Sequence, residues 1–355
     1  HMCHSPEADV VRDPRFGRMS EAFGEDTYLT TQMVTSAVKG VQGDYEGLGN
    51  GTHIGAVAKH FAGYGQVLGG SNFAAIEISE RTLIDEIYPP FEAAVKEAKT
   101  LGIMASHGDL NGVASHGNPE LLTGVLRDQW GFEGYVVSDS NDIARLFYFM
   151  NVAESPEAAA EMGLVAGIDI DLYAEDSYAY LPEMVKKNPE LEKLIDRSVR
   201  RVLRTKFILG LFDNPYINIE DVEKGNRAES SLELAKESDL ESIILLKNED
   251  KALPLSKDKS LKVALLGPLL QEHTHEIFES VAGDKVQFIA EKGFNLTNQK
   301  GGAPELLDKD PKAIASLVNK ARSADVSILF LGGDEFTAKE AYFSNSTLGD
   351  RATID

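Results

Sequence analysis

Short apolar runs, each ending abruptly on polar or ionisable side chains, recur along the first 211 residues of this chain. Ala56-Val57-Ala58 runs into Lys59-His60, the run 101–105 into Ser106-His107, and Tyr135-Val136-Val137 into Ser138-Asp139. A fourth run, 164–172, carries Asp169 and Asp171 near its end. Continuous apolar stretches of this length read as strands buried on both faces, the pattern of a parallel sheet. Between them the period changes to that of a helix. Leu83, Ile84, Ile87, Phe91, Ala94 and Val95 share a face within 81–99, where Pro89-Pro90 should kink or split the helix. Helices are also expected over 121–130, around 158–162 and over 191–206, the last with Leu191, Leu194, Ile195, Val199, Val202 and Leu203 on one face. Alternation of strand, polar tip and helix predicts part of a (β/α)8 barrel over 1–211, with a doubly wound open sheet as the alternative.

Periodicity fades over 212–224, which holds Asn214-Pro215, so 212–231 is expected to be a linker. A helix is predicted over 232–246, followed by strands at 263–266, 286–290 and 326–331. The region 232–355 therefore reads as a second α/β unit, a partial αβα sandwich, and 355 residues are enough for two cores. Its last strand leads into Gly332-Gly333-Asp334-Glu335, one more acidic tip.

Loops gather around ligands at the carboxyl ends of strands in β/α architectures. This makes Asp139 the first candidate for chemistry, although an Asp in such a place can simply cap the following helix. Lys59 and His60 repeat the pattern, and on its own His60 reads as a structural histidine. Over 5–29, Arg12, Asp13, Arg15, Arg18, Glu21, Glu25 and Asp26 crowd into what reads as a solvated loop with local ion pairs. An Arg held there by carboxylates could also orient a hydroxylated ligand. Arg197, Arg200, Arg201 and Arg204 are explained more simply by a solvated amphipathic helix than by a phosphate site.

The bulk composition narrows the classes of function. With 43% hydrophobic and 26% charged residues the chain is of ordinary globular type. A net charge of -22 disfavours nucleic acid and anionic membrane as partners, and no apolar run approaches the ~20 residues that span a bilayer. The single cysteine, Cys3, excludes internal disulfides and a cysteine-based zinc site. His273 and His275 lack metal-site spacing and read as surface residues, so no metal and no cofactor are expected. Neither a Gly-x-Gly-x-x-Gly after a strand nor a Walker loop is present, which ranks a nucleotide-binding protein last.

Several longer strings in fixed order add a resemblance. Arg12-Asp-Pro-Arg-Phe-Gly-Arg18, Lys59-His-Phe-Ala-Gly-Tyr-Gly65, Ser79-Glu-Arg-Thr-Leu83, Asn111-Gly-Val, the stretch 131–142 around Asp139, and Ser242-Ile-Ile-Leu-Leu-Lys-Asn248 together resemble family 3 glycoside hydrolases of the β-glucosidase and β-xylosidase type. The resemblance implies a barrel followed by a sandwich, with a sugar bound where the two meet, and a retaining attack on a terminal β-linked glucose or xylose. It implies that Asp139 is the nucleophile, that Lys59, His60 and Arg18 bind sugar hydroxyls, and that Met104, His107 and Ser140 belong to the same substrate-binding site. It further implies a general acid from the second domain, for which Glu335 is the better match and Glu340 the competitor.

The same resemblance implies an oligosaccharide or an aryl or alkyl β-glycoside as partner, and a secreted or periplasmic setting, although no signal peptide is visible. Four departures bear on this. The opening barrel strands and the end of the sandwich look absent, Ser71 stands where an arginine is usual, and His107 and Ser140 stand where a tyrosine and an aromatic are frequent. The absent segments, as a separate chain or through a homo-oligomer, are expected to be needed to cover open sheet edges. Competing readings are a non-catalytic carbohydrate-binding or inactive fragment of the same fold and, further down, a β-N-acetylglucosaminidase. This chain lacks, in 66–73, the Asp-Ser-His triplet that the latter resemblance implies.

Overall fold

In the computed structural model, which describes residues 1–49, 51–296 and 310–333, the chain divides into one unit holding His1–Tyr216 and another beginning at Ile217. The first unit is built on β1 (Met2–Cys3), β2 (Gly55–Phe61), β3 (Gly102–Ala105) and, after a small antiparallel hairpin β4 (Asp109–Leu110) and β5 (Val113–Ala114), β6 (Tyr135–Val137). The order β1-β2-β3-β6 is parallel throughout, with Val57 beside Gly102 and Ile103 beside Val136. Each new strand adds on the same side of the last, which is the arc of a barrel, whereas a doubly wound sheet reverses direction.

Alternation along the strands sets the two faces. Ala56, Ala58, Ile103, Ala105 and Val136 pack with Val34 and Val38 of the helix Thr27–Gln42 and with Phe91 and Ala94 of the helix Tyr88–Lys96. Val57, Met104, Tyr135 and Val137 form a separate apolar cluster on the other face. β6 comes close to the chain before β3 because residue 134 is glycine, where a Cβ would lie 2.3 Å from the Leu101 carbonyl oxygen.

The prolines at 89 and 90 act as expected. A short helix Glu80–Thr82, capped by Ser79, opens into a wide turn over Leu83–Ile87 before Tyr88–Lys96 starts with Pro89 and Pro90 in its first turn. Their missing N–H groups have no helical partner to lose there.

Three expectations are corrected in this unit. The run 164–172 is not a strand: Leu164, Val165 and Ala166 close the helix Pro156–Ala166, which Gly167 ends at φ +115°, and only Ile170 bridges Val137. Too few residues remain after that glycine for a ladder. Nor is all of 5–29 solvated. Residues 6–11 are buried and run beside β2, with Glu7 bridging Lys59. Two arginines of the helix Leu191–Ile208 also turn inward, Arg201 onto Asp169 at 2.9 Å and Arg197 onto the Leu164 carbonyl at 2.7 Å.

The second unit holds β7 (Leu261–Leu266), β8 (Val286–Glu291) and β9 (Val326–Leu329), parallel in the order β8-β7-β9. The helix Thr274–Ala282 joins β7 to β8, and Pro311–Arg322 leads into β9. The first connection runs from β7 out to β8 and the second from β8 back past β7 to β9, and right-handed crossovers in these opposite directions set the helices on opposite faces of the sheet. The expected helix 232–246 is observed as Glu229–Ser242, beyond which 243–246 lies outside any helix or strand and is exposed. Within 212–231, Ile219–Gly225 is helical, capped by Asn218.

Candidate active site

Three strand ends meet at one carboxylate. β2 delivers His60, the chain leaving β3 delivers Ser106 and His107, and the chain leaving β6 delivers Ser138 and Asp139. Asp139 Oδ2 lies 2.8 Å from His107 Nε2 and 3.5 Å from His60 Nε2. The Ser140 N–H donates to Asp139 Oδ1 at 2.6 Å, and the Asp139 N–H donates to His116 Nε2 at 3.0 Å. His60 and His107 lie nearly parallel, ring centres 6.1 Å apart.

Each histidine is held from behind. His60 donates its backbone N–H and Nδ1–H to Asp9 Oδ2, both at 3.0 Å, while Arg18 Nη2 approaches Nε2 at 3.3 Å. The Nδ1–H tautomer fits both contacts, and burial pushes the His60 imidazole toward its neutral form. Burial does the same to His116, whose Nε2 acts as an acceptor. His107 Nδ1 lies 2.5 Å from Asp142 Oδ2, and Arg145 donates to Asp142 Oδ1 at 2.5 Å. Asp142 occupies this place because it begins the helix Asp142–Tyr148, three residues after Asp139.

The electrostatics separate the carboxyl groups. Burial works to raise Asp139, but the hydrogen bond and positive charge of His107, together with the Ser140 N–H, outweigh it and hold the group ionised, below the ordinary carboxylate range. Glu7 behaves in the opposite way: burial, then Asp9, raise it to about 9 against the pull of Arg18, so it holds its proton at neutral pH. Glu21 also feels burial, but two hydrogen bonds from Arg18, at 2.8 and 2.9 Å, bring it down to about 2.

Of the residues expected from the sequence, His60, His107, Ser140 and Arg18 are gathered around Asp139 or the groups that support it, and Lys59 is half-buried on β2. Met104 is buried on β3, packed with Val57, Tyr135 and Val137. Glu335 and Glu340 lie outside the described residues. Glu7, Asp9, His116, Asp142 and Arg145 were missed. The alternation Glu7-Ala8-Asp9-Val10 carried a signal, since it puts two carboxylates on one side of an extended segment. Glu7, Asp9 and His60 bring ligand-type atoms within 4.8 Å of one another. They contact one another and Arg18, whose Nη2 is 3.6 Å from Glu7, so a guanidinium already supplies positive charge there.

Both regions of the chain are similar to known proteins. Models of the glycosyl hydrolase family 3 N-terminal and C-terminal domains match residues 1–205 and 243–355. A Formosa agariphila protein named provisionally as a β-xylosidase is 82% identical over the whole chain, which covers 47% of that relative. A periplasmic β-glucosidase of Salmonella typhimurium is 33% identical over 96% of this chain and 48% of its own length. A solved β-glucosidase from Erythrobacter marinus superposes with a TM-score of 0.93 at 36% identity, over 99% of this chain and 50% of that one. The chain thus spans about half the length of the curated relatives it matches.

Proposed function

Since the chain belongs to glycosyl hydrolase family 3, we propose that it is a retaining exo-acting β-glycosidase, or a large part of one, that removes terminal non-reducing β-linked glucose or xylose. The observation that carries the reading is Asp139, a buried carboxylate held ionised at the carboxyl ends of parallel strands by His107 and the Ser140 N–H. Such a group is an oxygen nucleophile with its charge kept out of bulk water.

In the proposed reaction an Asp139 oxygen bonds to the anomeric carbon while the glycosidic C–O bond breaks. The leaving oxygen takes a proton from an acid, for which Glu335 is the first choice and Glu340 the second. Water then attacks the glycosyl-enzyme, gives its proton to the same residue and releases the sugar with its original configuration. Lys59, His60 and Arg18 orient ring hydroxyls, directing binding energy to the reacting carbon. Met104 and Ser140 remain candidates for the sugar's surroundings. The barrel is assigned to 1–211 and the sandwich to 232–355, joined through 212–231. An oligosaccharide or aryl β-glycoside is the proposed partner, as sugar-complexed structural neighbours support. A periplasmic or secreted setting is proposed from the periplasmic relative. Among the described residues, no helix is long and apolar enough to cross a membrane.

The test compares the intact protein with Asp139→Ala and Asp139→Gly on aryl β-glucoside and aryl β-xyloside. Loss of a nucleophile should lower kcat by about 10⁴-fold or more. Azide should rescue Asp139→Gly and yield the α-glycosyl azide. An unaltered rate in Asp139→Ala would end the assignment.

A further inference from the structure

His107 has a carboxylate oxygen against each ring nitrogen: Asp139 Oδ2 at 2.8 Å from Nε2 and Asp142 Oδ2 at 2.5 Å from Nδ1. At these distances a bare ring nitrogen would set its lone pair against those of a carboxylate oxygen, so hydrogen on both nitrogens is favoured, and an imidazole with two N–H groups is the cation. Arg145 donates to the other oxygen of Asp142 at 2.5 Å, pairing that carboxylate with a guanidinium. The ring is fixed in place by its surroundings. Phe73, in the left-handed region at φ +65°, covers it with centroids 4.2 Å apart, and the Arg145 guanidinium lies 4.6 Å from the centre of the same Phe73 ring.

Resting on the nucleophile reading above, we propose that His107 is a positioning residue that acts as a fixed imidazolium. It grips one oxygen of Asp139, keeps the carboxylate in a single rotamer, and must be protonated for the sugar to be attacked. Around the ring, two carboxylates favour the charged form and one guanidinium opposes it. From the β2 side come His60, kept neutral by burial, and Tyr64, 5.2 Å away between ring centres. From beyond β6 come Asp139, Asp142 and Arg145, whose Nη1 is 3.5 Å from Nδ1. His116, on the turn Ser115–Gly117, is kept neutral by burial and feels the positive charge of His107. Two carboxylates therefore meet two cations, His107 and Arg145, and the neutral histidines leave that balance undisturbed.

The alkaline limb of a glycosidase profile normally mixes loss of the acid's proton with any group on the nucleophile side. A dinitrophenyl β-glycoside removes the first contribution, because its leaving group departs without protonation. With this substrate the intact protein should still lose kcat on the alkaline side. Asp142→Asn should move that limb to lower pH, since the imidazolium loses one carboxylate. His107→Gln offers an N–H that does not titrate. It should abolish the limb and lower kcat about ten- to a hundredfold, the range for loss of a charged hydrogen bond, with KM much less affected. Independently of turnover, ¹⁵N spectra should find both His107 ring nitrogens protonated at pH 7, the signal being assigned by its absence from His107→Gln. A neutral ring, a missing limb in the intact protein, or a limb unmoved in both variants overturns the proposal. Failure of azide rescue in Asp139→Gly would instead sink the underlying nucleophile assignment.

Discussion

The two units solve the same problem, a parallel sheet between helices, in opposite ways. In the first, strands add in one direction, so the carboxyl ends of β2, β3 and β6 lie side by side, and every residue of those strands except Lys59 is buried. Charged groups at that rim are out of water and must satisfy one another. In the second, the order β8-β7-β9 reverses at β7, and among the described strands β7 alone has a run of buried residues while the edge strands are half-exposed. The reversal brings the ends of β7 and β9 together so closely that position 267, at φ +122°, has room for glycine alone, a Cβ falling 2.5 Å from the Phe330 oxygen. A sequential sheet thus concentrates polar groups into an interlocked buried set, while a reversing sheet leaves its apolar rows to be covered from outside.

The sharpest test of the interlocked set is Asp169. It accepts from Arg127 at 2.8 Å, from Arg201 at 2.9 Å and from the Val136 N–H at 2.9 Å, with its own side chain fully buried. Asp169→Ala would leave two guanidinium groups facing apolar surroundings. Stability should fall by about 3–5 kcal/mol, read by urea denaturation followed through Trp130 fluorescence. A loss below about 1 kcal/mol would mean that the buried charges are not mutually dependent.

How far the sequence revealed this follows from the same contrast. Strand tips were legible because an apolar run that stops at Lys59-His60, Ser106-His107 or Ser138-Asp139 encodes both the burial and the place where it ends. The helix ending at Ala166 was misread as strand because Leu164-Val165-Ala166 is apolar in either periodicity; Gly167 was the signal that could have decided it. Asp142, Arg145 and His116 could not be read. Their roles come from the folding of 115–117 and 142–145 against His107, and no local pattern distinguishes them from surface residues. The helix expected to continue through 246 stops at Ser242, because Ile243-Ile244-Leu245 also has the β-branched, apolar character of an extended segment.

Glu7 offers a pH-dependent test of the interlocked set. Its carboxyl is raised to about 9 by burial and by Asp9, so the folded protein holds a proton that the unfolded chain releases above about pH 4.5. Stability must therefore decline as pH rises from that point towards 9. Glu7→Gln carries no such proton. Its decline over pH 5 to 8 should be shallower by up to about 1.4 kcal/mol per pH unit, with the two proteins converging in slope below pH 4. Parallel curves over pH 5 to 8, from urea titrations, would place Glu7 in solvent-like surroundings.

The smallest effect on stability belongs to the second unit, where Ile243, Ile244, Leu245 and Leu246 stand 73%, 75%, 61% and 92% exposed. Four consecutive exposed apolar residues outside any helix or strand invite pairing with other chains rather than contributing to a core. Ile244→Ser should therefore change the unfolding free energy by no more than about 0.5 kcal/mol, while shifting the weight-average sedimentation coefficient towards that of the monomer at high concentration. A cost above about 2 kcal/mol would require this stretch to be packed as tightly as β3. The contrast between a self-satisfied first unit and a second unit with uncovered apolar rows would then fail.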